Sequence, residues 1–206
     1  MPEHPPPGPV QGEILTMVAE ASRRRQERHG QPQRFPFLAD PQDIMSLALA
    51  PADLTVLEGL TRSAAARVYR DAGLSAFTLA VRPFARPDDL GGACLFTYST
   101  DLGRTRVTFR VDPYGIVEPA APSEDAQALP EAVFPALPWE ADPGWRATLR
   151  QAYAAVGPLA PHEFSAYYVS ARARFPGRWE AIFQDGKSGR ESVFEWTASG
   201  GLTRRK

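Results

Sequence analysis

Gly186-Lys187-Ser188 carries the closing residues of a phosphate-binding loop, in which backbone N–H groups and a lysine cradle the phosphates of a nucleotide. Such a loop also needs a glycine five residues before the first of these, a strand ahead of it and a helix behind it. Position 181 is Ala181, and Glu191 to Trp196 alternates as a strand does. The tripeptide therefore reads as part of a hairpin turn, Asp185 to Gly189. The three histidines, His4, His29 and His162, have no metal-ligand spacing, and the lone cysteine does not complete a zinc set with them. His162-Glu163 has the residue types of an acid–base pair, but neighbours at the start of a strand point to opposite sides. Cys94 shares an alternating face with Phe96 and Tyr98, where a thiol behaves as a small hydrophobe. No catalytic residue, metal ligand or cofactor site is assigned on these grounds.

Two kinds of residue remain as candidates for recognition. Arg23, Arg24 and Arg25 near one end, and Arg204 and Arg205 near the other, form basic clusters. As phosphate contacts they would bind nucleic acid without reading its sequence, and salt would weaken them. Val68 to Leu79 has the helix-Gly-Leu-Ser look of a helix-turn-helix segment, yet Pro83 and the alternation after Gly73 leave no room for a second helix. The other candidate is one face of the C-terminal alternating segments, where Tyr168, Ile182 and Val193 stand among Arg172, Arg174, Glu180, Glu191 and Glu195. Opposite charges on neighbouring strands neutralise one another there, and the apolar residues form a patch for a partner protein.

Whole-molecule charge points to no partner class. The net charge is −1, but it is unevenly spread: residues 61–111 and 145–206 are basic, and 37–60 and 118–142 are acidic. Lys187 and Lys206 are the only lysines, and the abundance of Arg, Ala and Pro is a mark of GC-rich coding, as in many bacteria. One cysteine excludes an internal disulfide. Met1 to Pro9 has neither the basic nor the apolar part of a secretory signal, and no apolar run is long enough to span a membrane. The expected location is the cytoplasm.

The elements that would position these residues follow from hydrophobic period. A Pro-rich end, 1–10, precedes a helix from Gln11 to His29 and a short helix opened by Asp40-Pro41 and ending near Leu49. Pro51 restarts helix, with Leu54, Leu57, Thr61, Ala65 and Val68 on one stripe. Gly59 and Thr61 are the points at which it could split, and Gly73 closes it. The period then falls to 2. Phe77, Leu79 and Val81, then Cys94, Phe96 and Tyr98, then Val107, Phe109 and Val111 make a three-strand antiparallel meander, with Asp101 to Gly103 as a turn. Six prolines between 118 and 144 mark an acidic linker. A second helix follows, with Trp145, Leu149, Ala152 and Tyr153 on one face, and then a second meander built on Ala171, Ala173, Trp179, Ala181, Phe183, Phe194 and Trp196.

The order repeats. Tyr69 and Tyr153, Gly73 and Gly157, and Asp101 and Asp185 share one spacing, and Phe109 and Phe194 sit one residue further apart. A single small sheet with one helix is marginal in water, so two copies must share a core. The expected fold class is α+β: two tandem α-βββ units with antiparallel meander sheets, 51–117 and 143–206, joined by the 118–142 linker and preceded by N-terminal helices in 11–50. The expected function is an intracellular protein-binding module of adaptor, inhibitor or immunity type, with a second copy of the chain as a further candidate partner. A nucleic-acid-associated protein is the first alternative. The other is an enzyme or ligand carrier whose site, built from Tyr69, Tyr153 and arginines, forms only in the fold.

Overall fold

The computed structural model describes residues 9–40, 43–81, 92–100, 105–120, 132–156, 168–174, 177–185 and 188–205, with backbone alone for Pro9 and for 168–174 other than Ala173. Pro51 stands at the first position of helix α2 (Pro51–Val68), following α1 (Pro9–Arg28). The Asp53 carboxylate reaches back to accept the Ala50 N–H at 2.7 Å, satisfying a donor that a helix start leaves unpaired. Leu54, Leu57, Thr61 and Ala65 form the buried stripe of α2, and neither Gly59 nor Thr61 interrupts it. Four strands follow: β1 (Gly73–Val81), β2 (Gly92–Thr100), β3 (Thr105–Val111) and a short β4 (Val117–Ala120). A one-turn helix α3 (Pro138–Ala141) and α4 (Trp145–Val156) lead to β5 (Tyr168–Arg174), β6 (Arg178–Gln184), β7 (Glu191–Thr197) and β8 (Thr203–Arg204).

The fold is α+β, with two helix-then-meander units joined edge to edge in one eight-stranded antiparallel sheet ordered β4-β3-β2-β1-β5-β6-β7-β8. The seam is the pairing of β1 with β5, from Ala76 opposite Arg174 to Val81 opposite Val169. Each meander gains a short fourth strand beyond the three expected. Alternation sets the faces. Phe77, Phe96 and Phe109 pair in register across the first unit, and Trp179 pairs with Trp196 in the second. These residues are buried with Leu54 and Leu57 of α2 and Trp145 and Leu149 of α4 in one core. Trp179 lies between two parallel indoles, Trp145 at 5.0 Å and Trp196 at 6.0 Å. Its edge meets Phe77 across the seam at 6.4 Å. Trp139 of α3 also joins the units, stacking edge-on against Phe77 and donating its indole N–H to Thr55 Oγ1 at 3.1 Å.

The structure corrects four expectations. Residues 43–49 form no helix. Ser46 Oγ donates to the backbone of Asp43, accepts the Asp40 N–H, and lies 2.8 Å from the Asp40 carbonyl, while Asp43 Oδ1 accepts the Met45 N–H. These short polar side chains take up the backbone groups that a helix would need. The segment is instead a turn held by a bridge between Leu38 and Leu47. The expected linker 118–142 contains part of β4 and all of α3. Pro119 is tolerated because β4 is an edge strand, and Pro138 because it occupies a first helical turn. Gly73 does not close α2, whose cap is Tyr69, but opens β1. The matched spacing of Gly73 and Gly157 also does not reflect equivalent places. Residues 69–72 separate α2 from β1, whereas 157–167 separate α4 from β5, and the difference is cancelled by a ten-residue link 82–91 against 175–177 in the following hairpins. The expected turn at Asp101–Gly103 lies outside the described residues.

α1 closes the β4 edge. Arg67 of α2 holds Glu13 and Glu20 of α1. Arg25 reaches Glu118 Oε2 at 3.0 Å and stands 3.7 Å from the buried Asp112 carboxylate. Asp112 Oδ1 accepts the N–H groups of Tyr114 and Ile116, fixing the turn between β3 and β4, and burial pushes its carboxyl above the ordinary range.

Candidate functional site

The buried side chains of the sheet lie on the face that carries α2 and α4. The alternate positions Thr78, Leu95, Thr97, Thr108, Ile182 and Val193 are half-exposed. On this second face Ile182 of β6 is directly opposite Val193 of β7. Around the pair the register places Glu180 opposite Glu195, and Gln184 opposite Glu191. Glu195 is engaged by Arg205 at 2.8 Å and by Arg178 at 3.8 Å. Tyr168, Arg172 and Arg174 hold the same-parity positions on β5, Arg172 opposite Glu180 and Arg174 opposite Arg178; their side chains lie outside the described residues. The five residues expected to form a partner-binding patch belong to three adjacent strands, β5, β6 and β7, at positions of one parity.

The basic clusters are separated. Arg23, Arg24 and Arg25 are near the end of α1, which packs on β4, and Arg204 and Arg205 are at β8, at the other edge of the sheet. Seven strand spacings lie between those edges, about 33 Å along the sheet. Arg23 pairs with Glu27, Arg25 with Glu118, Arg204 donates to Ser192 Oγ and lies over the Phe194 ring, and Arg205 pairs with Glu195.

Two polar clusters emerge only in the fold. In the first unit the Tyr98 hydroxyl is buried 2.7 Å from Thr61 Oγ1 and donates toward the Glu58 carboxylate at 3.2 Å, and Arg62 Nε donates to the same Glu58 oxygen at 2.9 Å. Burial pushes the Tyr98 phenol far above its ordinary range, so it stays protonated and acts as a donor. In the second unit Asp142 accepts the Gly144 N–H on Oδ1 and the Trp196 indole N–H on Oδ2, bracing the break between α3 and α4. Tyr69 packs against the common core, and Tyr153 packs on Phe183 at 5.5 Å. They lie in different units and do not converge. Gly186 and Lys187 lie outside the described residues; beside them the Gly189 N–H donates to the Asp185 carbonyl at 2.7 Å, and the Asp185 N–H donates to the Arg190 carbonyl at 2.9 Å, between β6 and β7. The Cys94 thiol is fully buried, which pushes its ionisation far up and leaves it a poor nucleophile. His4 and His162-Glu163 lie outside the described residues, and among those described no group of three or more His, Cys, Asp or Glu residues is placed to hold a metal ion. Among the described residues no helix is long and apolar enough to cross a membrane.

An apolar pocket of about 240 Å³ lies at the end of the second unit. The chain's own Phe134, Pro135 and Ala136 line it with Pro138, Ala141 and Asp142, and Ala173, Gly177, Trp179 and Ala198 complete the wall. Hydrophobic period did not reveal it, because its helical wall falls in the stretch read as linker. The cue present in the sequence is Pro138-Trp139 followed by Asp142-Pro143, an apolar anchor and a cap pair inside a Pro-rich run. Comparison with family models, with curated proteins and with solved structures finds no match.

Proposed function

We propose that this chain is a protein-binding module, of adaptor, inhibitor or immunity type, that receives partners on the second face of its sheet. The observation that carries the proposal is the directly paired Ile182 and Val193, half-exposed in the middle of a mixed-charge border on β6 and β7. A small apolar centre ringed by charged groups is the anatomy of a non-obligate interface, in which the centre contributes affinity and the rim contributes register. The extended sheet behind it supplies a rigid platform, so little ordering entropy opposes association. The same proposal places the chain in the cytoplasm, where a single buried thiol needs no partner.

The test is affinity capture with the full chain beside the double variant Ile182→Arg, Val193→Thr. Both positions are half-buried, the arginine faces Glu180, Glu191 and Glu195 and threonine keeps the branched shape of valine, so the variant should melt within about 2 °C of the parent. A partner recovered by the parent, lost by the variant and rebound when purified supports the reading. Identical protein sets from both chains would remove it.

A further inference from the structure

The pocket beside Trp179 has a counterpart in the first unit, and there it is filled. Register sets the correspondence. Cys94 pairs with Val111 as Trp179 pairs with Trp196, and one residue beyond each pair the chain turns in the same way. The Gly115 N–H donates to the Asp112 carbonyl at 2.9 Å, and the Gly200 N–H donates to the Thr197 carbonyl at 3.1 Å. Ala198 therefore stands where Pro113 stands, Gly177 where Gly92 stands, and Trp179 where Cys94 stands.

In the first unit these positions are covered by the chain's own segment Arg34-Phe35-Pro36-Phe37, which bends at Arg34, Phe35 and Phe37. The Phe35 N–H donates to the Pro113 carbonyl at 2.7 Å. The Phe35 ring lies 3.0 Å from where a Cβ on Gly115 would be, and the Phe37 ring 2.9 Å from where one on Gly92 would be. Both rings are buried. In the second unit Gly177 and Ala198 instead border a pocket, beside the chain's own Phe134 and Pro135, and no described atom lies within 4 Å of a Cβ added at Gly177. A cavity of about 150 Å³ accepts benzene, so 240 Å³ accommodates one phenyl or indole ring.

We infer that this pocket receives a short segment of a partner protein bearing an aromatic residue next to a basic one, with the backbone N–H of the aromatic residue donating to the Ala198 carbonyl. The chain's own 34–37 segment, whose Arg34 lies over the Phe35 ring at 5.0 Å, is the template for that ligand. The inference rests on the protein-binding reading and adds to it a second site and a partner chemistry.

The probe is a synthetic peptide copying residues 33–39, titrated into the full chain and followed by calorimetry and by NMR shift mapping. Saturable binding at sub-millimolar peptide is expected, with the largest shifts at Gly177, Trp179 and Ala198. A peptide with both phenylalanines replaced by alanine should bind at least about tenfold more weakly, the loss expected from emptying an aromatic anchor. Ala141→Trp and Ala198→Phe, each at an exposed wall residue, should fill the pocket and weaken binding similarly without lowering the melting temperature. The Ile182→Arg, Val193→Thr variant should bind the peptide as the parent does, so failure of the sheet-face site and failure of the pocket are told apart. Absence of binding at millimolar peptide overturns the inference. So does binding that survives both wall variants, that maps onto the first unit, or that is replaced by uptake of free indole alone.

Discussion

Trp179→Ala lowers the melting temperature by roughly 10 °C, the largest loss expected from any single truncation in this chain. Trp179 is only 2% exposed. Both of its ring faces are covered, by Trp145 and Trp196, and its edge touches Phe77 of the other unit. Removing a buried Trp side chain costs about 3–5 kcal/mol, because the surroundings close only partly around the space it leaves. In a chain of this size each kcal/mol is worth about 2–4 °C. The cost is greater than that of a peripheral aromatic because the ring links the units as well as filling its own. Thermal melting followed by near-ultraviolet circular dichroism checks it. A shift below about 3 °C would mean that the three indoles are not packed as described.

Gly92→Ala and Gly177→Ala should differ sharply although the two glycines hold equivalent places. Gly92 has φ +148, and a Cβ there would meet the Ala80 carbonyl and stand 2.9 Å from Phe37 Cδ2. Backbone strain of about 1–3 kcal/mol adds to displacement of a buried ring. A total of about 3 kcal/mol is expected, with the 35–38 segment loosened from the first unit. Gly177 also has positive φ, +62, but nothing lies within 4 Å of its added Cβ. Its cost is the left-handed backbone alone, about 1–2 kcal/mol. Chemical denaturation of both variants measures the difference. Equal losses would show that the two places are equally filled, or equally open.

Alternation and helical stripes made most of the architecture legible. Phe77, Phe96, Phe109, Trp179, Phe194 and Trp196 are core residues because a period of 2 leaves them no other face, and Leu54, Leu57 and Ala65 because a period of 3.6 puts them on one stripe. The edge-to-edge junction was not legible. β1 and β5 look like any other strands in sequence, and pairing partners are set by tertiary packing. The short helix expected after Asp40 failed because a cap signal is also a turn signal: Asp40, Asp43 and Ser46 satisfy the backbone locally instead of starting a helix. The adjacency of Ile182 and Val193 could be read because they share a parity within adjacent strands. The pocket could not, because its walls are distant in sequence and its meaning comes from the filled place that Phe35 and Phe37 occupy in the other unit.

The pairing of β1 with β5 is tested most directly by cross-strand proton contacts in a nuclear Overhauser spectrum of the labelled chain. An antiparallel series is expected, running from Ala76 with Arg174 through Thr78 with Arg172 to Val81 with Val169, and unchanged on dilution. A β1 strand with no contact to residues 169–174, or contacts that vanish as the chain is diluted, would contradict the continuous sheet on which both proposed binding surfaces depend.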